Sequence, residues 1–132
     1  SPDGRWIAYQ SDESGQNEIY IRPFPGPGAK WQVSTTGGTR PHWRGDDKEL
    51  FYYGANSSVM SVEIQLNQST VVVGSLKRLF DLPYSVRGYA PNADVYQVTS
   101  DGQRFLYESF PDSENGSPIT LVVNWLGKIK KE

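Results

Sequence analysis

One phrase recurs three times and limits the folds open to this chain. It reads Asp3-Gly4-Arg5-Trp6-Ile7-Ala8-Tyr9, then Asp46-Asp47-Lys48-Glu49-Leu50-Phe51-Tyr52, then Asp101-Gly102-Gln103-Arg104-Phe105-Leu106-Tyr107. Each copy passes from an acidic turn through one or two polar residues into an apolar strand, with Asp and Tyr six residues apart. The copies are spaced by 43 and 55 residues. A period in this range means an array of similar units, none of which buries its apolar face alone.

The segments between the copies alternate in polarity and are punctuated by turn formers. Trp6–Gln10, Glu18–Arg22, Trp31–Ser34, Glu49–Tyr53, Val59–Ile64, Arg104–Glu108 and Ile119–Trp125 have the β-branched and aromatic content of strands. Arg40–Arg44 is expected to be extended, Val71–Val73 to be a short pairing segment, and Leu79–Leu82 to be an outer strand. Pro23, Pro25 and Pro27 exclude helix and central strand between β segments, because proline lacks the donor. Thirteen glycines and nine prolines in 132 residues argue further against long helices. Each unit is then about four short antiparallel strands, at approximately 1–36, 37–82 and 93–126. The longer second spacing places an insertion at about 65–93, where a repeat array accepts extra loop.

Units of this size are the blades of a propeller. The predicted fold is all-β, a partial β-propeller of about three four-stranded antiparallel blades with its ends open. The pairs Asp3-Gly4, Asp46-Asp47 and Asp101-Gly102 read as structural turns. The turn needs a positive backbone angle, which glycine supplies and Asp tolerates, so Asp47 marks a copy that departs from the pattern. The chain starts inside a phrase and without Met, which reads as a fragment of something longer. Three blades do not close a ring of the usual four to eight, and open sheet edges favour pairing with another chain. Self-association as a homodimer is the expectation.

Chemistry is bounded mainly by what the residues lack. There is no cysteine, which excludes disulfides and thiolate metal sites and leaves the compartment open. His42 is the single histidine, and no Gly-x-Ser-x-Gly elbow occurs, so neither a hydrolase triad nor a zinc site is expected. Asp12-Glu13 and Asp46-Asp47 lie in turn clusters, where solvated charge is the ordinary reading; two carboxyls facing across a cleft would be needed for glycoside hydrolysis. A net charge of -2 gives no nucleic-acid surface, and no apolar run is long enough for a membrane helix. No cofactor, metal, nucleic-acid or membrane contact is expected of this segment, and no catalytic residue. The aromatic residues at strand positions read as packing between blades. Arg40, His42, Arg87 and Tyr89 flank the inner strands or the insertion, where a channel mouth would lie. They are the candidate ligand-binding residues, for a protein or a small ligand. Asn56, Asn67 and Asn115 head three-residue glycosylation patterns that are common by chance.

Ser1-Pro2-Asp3-Gly4-Arg5-Trp6-Ile7-Ala8-Tyr9 resembles the Ser-Pro-Asp-Gly repeat of TolB-type, WD-like β-propellers, also found in the propellers of prolyl-oligopeptidase-class peptidases. Pro41-His42-Trp43-Arg44-Gly45-Asp46-Asp47 is similar to the same repeat and departs from it at Arg44, Gly45 and Asp47. Val98-Thr99-Ser100-Asp101-Gly102 is similar again, without the proline. Pro23 to Trp43, Glu49–Tyr53 and Asp101–Leu106, with Leu121–Trp125 and the basic tail Lys128–Glu132, look like the C-terminal end of bacterial receptor-like serine/threonine kinases. That likeness implies the C-terminal part of a larger protein and an extracytoplasmic or periplasmic sensor; no kinase loop occurs in this piece. The function expected from the resemblance is a non-catalytic binding or sensing module. The alternatives are the gating propeller of a prolyl-oligopeptidase-like peptidase, and an enzyme acting on glycans.

Overall fold

The computed structural model describes residues 1–82, 94–108 and 119–123, and these form an all-β structure. The strands are β1 (Trp6–Ser11), β2 (Glu18–Pro23), β3 (Trp31–Gln32), β4 (Gly38–Trp43), β5 (Glu49–Gly54), β6 (Ser58–Leu66), β7 (Val71–Asp81), β8 (Gln97–Val98), β9 (Arg104–Glu108) and β10 (Ile119–Val123). They make three antiparallel sheets of sequential neighbours, β1-β2-β3, β4-β5-β6-β7 and β8-β9-β10. Among the described residues only the middle sheet has the four strands expected of every unit. Among the described residues no helix is long and apolar enough to cross a membrane.

The sheets pack face to face, and the alternation of side chains along β5 explains how. Leu50 and Tyr52 point to the first sheet, where they join Trp6, Ile19, Ile21 and Val62 in one core. Phe51, between them, points the other way and joins Val59, Leu82, Tyr96 and Phe105 in a second core. A strand with apolar residues on both faces is a middle layer. Phe51 meets Phe105 edge-on at 5.2 Å across the second junction, and Trp6 meets Trp31 edge-on at 5.8 Å within the first sheet, so rings line both cores.

The recurring phrase builds the same turn each time. The fourth residue donates its N–H to the carbonyl of the first: Gly4 to Ser1 at 2.9 Å, Asp47 to Arg44 at 3.1 Å, Gly102 to Thr99 at 2.8 Å. That fourth residue is left-handed in every copy, with φ of 72°, 62° and 72°. The Asp before it accepts from the N–H two residues on, at 2.9 Å from Arg5, 3.2 Å from Lys48 and 3.0 Å from Gln103.

The departures of the second copy have physical reasons. In the outer copies a hydroxyl, from Ser1 or Thr99, bonds the turn carboxylate; in the second, Arg44 grips Asp46 with two nitrogens at 2.7 and 2.9 Å. Gly45 stands where the first copy has Pro2. Its N–H donates to the Ser100 carbonyl at 2.7 Å, and an added Cβ would lie 2.9 Å from that oxygen. Neither proline nor a larger residue suits a point where two turns touch.

Two expectations about strands change. Val71–Val73 and Leu79–Leu82 are expected as separate segments. They belong largely to one eleven-residue strand, β7: a shift of register between Val62 and Ile64 lets β6 follow it past Gly74-Ser75, and a second between Val59 and Met60 lets it follow past Leu79. The hairpin β6–β7, closed by Asn67 N–H to Thr70 O at 2.9 Å, thus occupies part of the stretch expected as an insertion. Arg40–Trp43 is not a continuous extended run. Pro41 brings no donor to the ladder, the register shifts between Thr39 and His42, and Arg40 is left-handed with φ 53°. Proline is tolerated there because β4 is an edge strand.

Candidate β4 bulge site

The irregularity in β4 sets the geometry of the candidate site. A bulge re-aims the side chains beside it, and a left-handed arginine before a proline is a strained backbone that its surroundings must hold. Two hydrogen bonds hold it. The Arg40 N–H donates to Gln10 Oε1 of β1 at 3.0 Å, and the Arg40 carbonyl accepts from the Tyr96 hydroxyl at 3.1 Å. Arg40 is therefore held from both sides, by β1 of the first sheet and by Tyr96, the residue before β8. The Arg40 guanidinium lies over the Tyr53 ring at 5.9 Å.

His42 follows on the same strand, edge-on to Tyr96 with ring centroids 4.8 Å apart. Burial pushes its pKa below the ordinary 6.5, and the nearby Asp94 carboxylate offsets part of this. The imidazole is accordingly neutral at pH 7. Its Nε2 is buried without a hydrogen-bond partner, as is Nε1 of the adjacent Trp43. Buried polar atoms normally find partners, so an orphan nitrogen beside a strained peptide is a departure that calls for a reason. Tyr96 is almost wholly enclosed, and burial raises its phenol well above the usual range; it acts as a neutral donor.

Arg40 and His42 open onto one shallow cleft of about 370 Å³, completed by Tyr9, Gln10, Pro41 and Asp94. The cleft brings a guanidinium, a carboxyl, an imidazole and an amide into one small mouth, and its lining is mostly polar, so it suits a hydrogen-bonding ligand rather than an apolar one. Two of the four candidate binding residues are thus brought together. The other two, Arg87 and Tyr89, lie outside the described residues, as does Asn115.

A larger cleft of about 700 Å³ runs along the turn end, between the first two turns and β6–β7. Most of its carboxylates have partners, the buried Asp47 Oδ1 being an exception. Asp3 is bonded by Ser1 and by the Arg5 backbone, which lowers its pKa to about 2. Asp46 is lowered by Arg44, Glu49 accepts from Arg44 and Ser61, and Lys77 pairs with Glu63 at 3.1 Å. The turn residues Asp3, Gly4, Asp46, Asp47, Asp101 and Gly102 all sit at turns; Asp101 is lowered by Thr99 and the Gln103 N–H. Among the described residues no group of three or more His, Asp or Glu side chains could hold a metal ion.

No protein-family model matches the chain, and no curated protein is significantly similar to it. The case for a site therefore rests on geometry alone.

Sequence reasoning missed Gln10, Asp94 and Tyr96. Gln10 ends an ordinary alternating strand, and its reach to Arg40 follows from the bulge, which no pattern announces. Tyr96 had a usable signal, an aromatic at a strand start just after the longest loop-like stretch. A buried carboxylate was also missed. Glu18, at the start of β2, accepts from Ser34 Oγ, from Gln16 Nε2 at 2.5 Å and from the Gly37 N–H at 2.9 Å. It ties the β3–β4 connection to the first sheet without a cation.

Proposed function

We propose that this chain is part of a β-propeller serving as a non-catalytic binding or sensing module, with its ligand or protein partner seated on the β4 bulge. The propeller reading draws support from three sequential antiparallel meanders stacked face to face, each carrying the same left-handed turn. That arrangement is how blades succeed one another. The binding reading is carried by one observation: the strained Arg40 peptide beside the unpartnered Nε2 of His42, at the mouth of an open cleft. Strain and unsatisfied polar atoms persist where function requires them.

The glycan-enzyme alternative draws less support. Asp46 is paired with Arg44 and held below the ordinary range, whereas a general acid needs a raised carboxyl.

The reading is tested by amide NMR of the labelled protein against a panel of short peptides and of mono- and disaccharides. Shifts clustered at Gln10, Arg40, His42 and Asp94, abolished by Arg40→Ala, are the expected result. Binders that map only to the turn end, or that bind Arg40→Ala equally well, would overturn it.

A further inference from the structure

Superposing the three phrases by register assigns every strand position a direction. Ile7, Leu50 and Phe105 are equivalent, as are Ala8, Phe51 and Leu106. Leu50 faces the sheet before it and Phe105 does the same, and both are fully buried. Ile7 faces the same way and is 40% exposed, and among the described residues no sheet lies in front of the first. In the second set, Ala8 and Phe51 face the sheet that follows. Leu106 faces that way too and is 43% exposed. The two exposed apolar residues of the phrase are exposed for one reason: each stands on an end face of the stack.

The end faces are therefore the two halves of the junction that the molecule already makes twice. The front face offers Ile7 and Tyr9, where the middle sheet offers Leu50 and Tyr52. The rear face offers Leu106, where the middle sheet offers Phe51. We infer that a second copy of this chain covers them head to tail: the rear of the third sheet packs on the front of its partner's first sheet, and reciprocally. This rests on the propeller reading above. It is continuous with the junctions inside the chain, and two copies supply a number of sheets within the four to eight that close a ring. Because front meets rear at both contacts, the dimer is closed by two equivalent contacts. Arg22, cross-strand from Ile7, stands where the middle sheet has buried Val62. The front face is thus more polar than an internal junction, and the dimer is reversible.

The test is sedimentation of the 132-residue chain over a range of concentrations, with near-ultraviolet circular dichroism to report ring packing. Twice the 14.8 kDa chain mass is expected at high concentration. Ile7→Lys and Leu106→Glu, at exposed positions, should each weaken the dimer about tenfold or more and leave the ring signal intact. An equimolar mixture of the two should restore it, since one contact is then unaltered and the other pairs Lys with Glu. A wild-type chain that stays monomeric with a normal ring signal overturns the assembly and leaves the layered fold standing. Loss of the ring signal in the wild type overturns both. A dimer indifferent to both substitutions, or one that mixing fails to restore, overturns the head-to-tail arrangement.

Discussion

Four non-glycine residues of the middle unit have a left-handed backbone, Arg40, Asp47, Asn56 and Ser57, and the surroundings of the first two differ in kind. Asp47 has φ 62° and Arg40 has φ 53°. Asp47 belongs to a turn built three times, and in the other two copies glycine holds its place. Arg40 belongs to a bulge without a repeat counterpart: Val95, the same distance before the third turn, is not left-handed. At the turns the recurring polar groups are met by designated partners, a carboxylate by a hydroxyl or a guanidinium and a backbone N–H. At the bulge His42 Nε2 and Trp43 Nε1 meet none. Asp47 Oδ1, which the two glycine copies lack, is also buried without a partner, so it is recurrence that separates the regions: a geometry built three times marks scaffold, and one without a counterpart marks the place to test for binding.

The largest effect that tests this contrast belongs to the scaffold. Gly45→Ala places a methyl carbon 2.9 Å from the Ser100 carbonyl oxygen, where one of two backbones must move. A loss of about 2 kcal/mol is expected, in the range of overpacking, read as a shift of the urea midpoint. Ligand binding at the bulge should persist in the folded fraction. If Gly45→Ala were silent, the turns would not be the rigid contacts that the stack requires.

Asp47→Gly should act in the opposite sense. It relieves a left-handed side chain and removes Oδ1, which is buried without a partner. A gain of about 1 kcal/mol is expected. A loss would show that Asp47 has a role at the turn that its two glycine counterparts lack, and the contrast with Arg40 would collapse.

Acid separates the two regions. His42 titrates below its ordinary 6.5 when folded, so the folded state binds fewer protons than the unfolded chain. Its contribution is intact above pH 6.5 and fades as pH falls through the depressed value. The turn carboxylates have the same sign in a lower window. Asp3 contributes fully above 3.8 and loses its share as pH falls toward about 2. Melting temperature against pH should show two steps, the upper one removed by His42→Phe. A single step below pH 4 would mean that His42 has no distinct role in the bulge.

These regions were unequally legible in the sequence. The turns could be read down to the sign of one dihedral angle, because the same constraint is written three times and Asp47 shows against two glycines. The alternation of β5 likewise carried its own meaning, since Leu50, Phe51 and Tyr52 cannot all be buried unless both faces are covered. The β4 bulge was hidden. Arg40-Pro41-His42 reads as extended because proline biases its predecessor that way, and only the packing of β1 and Tyr96 against it reverses that bias. The length of β7 was hidden for a similar reason: a strand with two shifts of register is recognised only once its partner β6 is known. Arg40 and His42 were legible as chemistry, but the partners that make them a site, Gln10, Asp94 and Tyr96, come from segments far apart in the chain.

The smallest change in stability is expected at Arg40, and it decides most. Arg40→Gly removes the guanidinium and its contacts, among them the Tyr53 ring and Thr39 Oγ1, and relieves the left-handed backbone, so the effects oppose and stability should move by no more than about 0.5 kcal/mol. The backbone bonds to Gln10 and Tyr96 survive, since they use the N–H and the carbonyl. A scaffold residue replaced in this way would leave binding untouched, as Asp47→Gly should. Arg40→Gly should instead abolish the shifts at Gln10, His42 and Asp94 that a ligand induces in the wild type. If both glycine variants bind alike, Arg40 is strained for a structural reason, and the cleft beside it is an accident of the bulge.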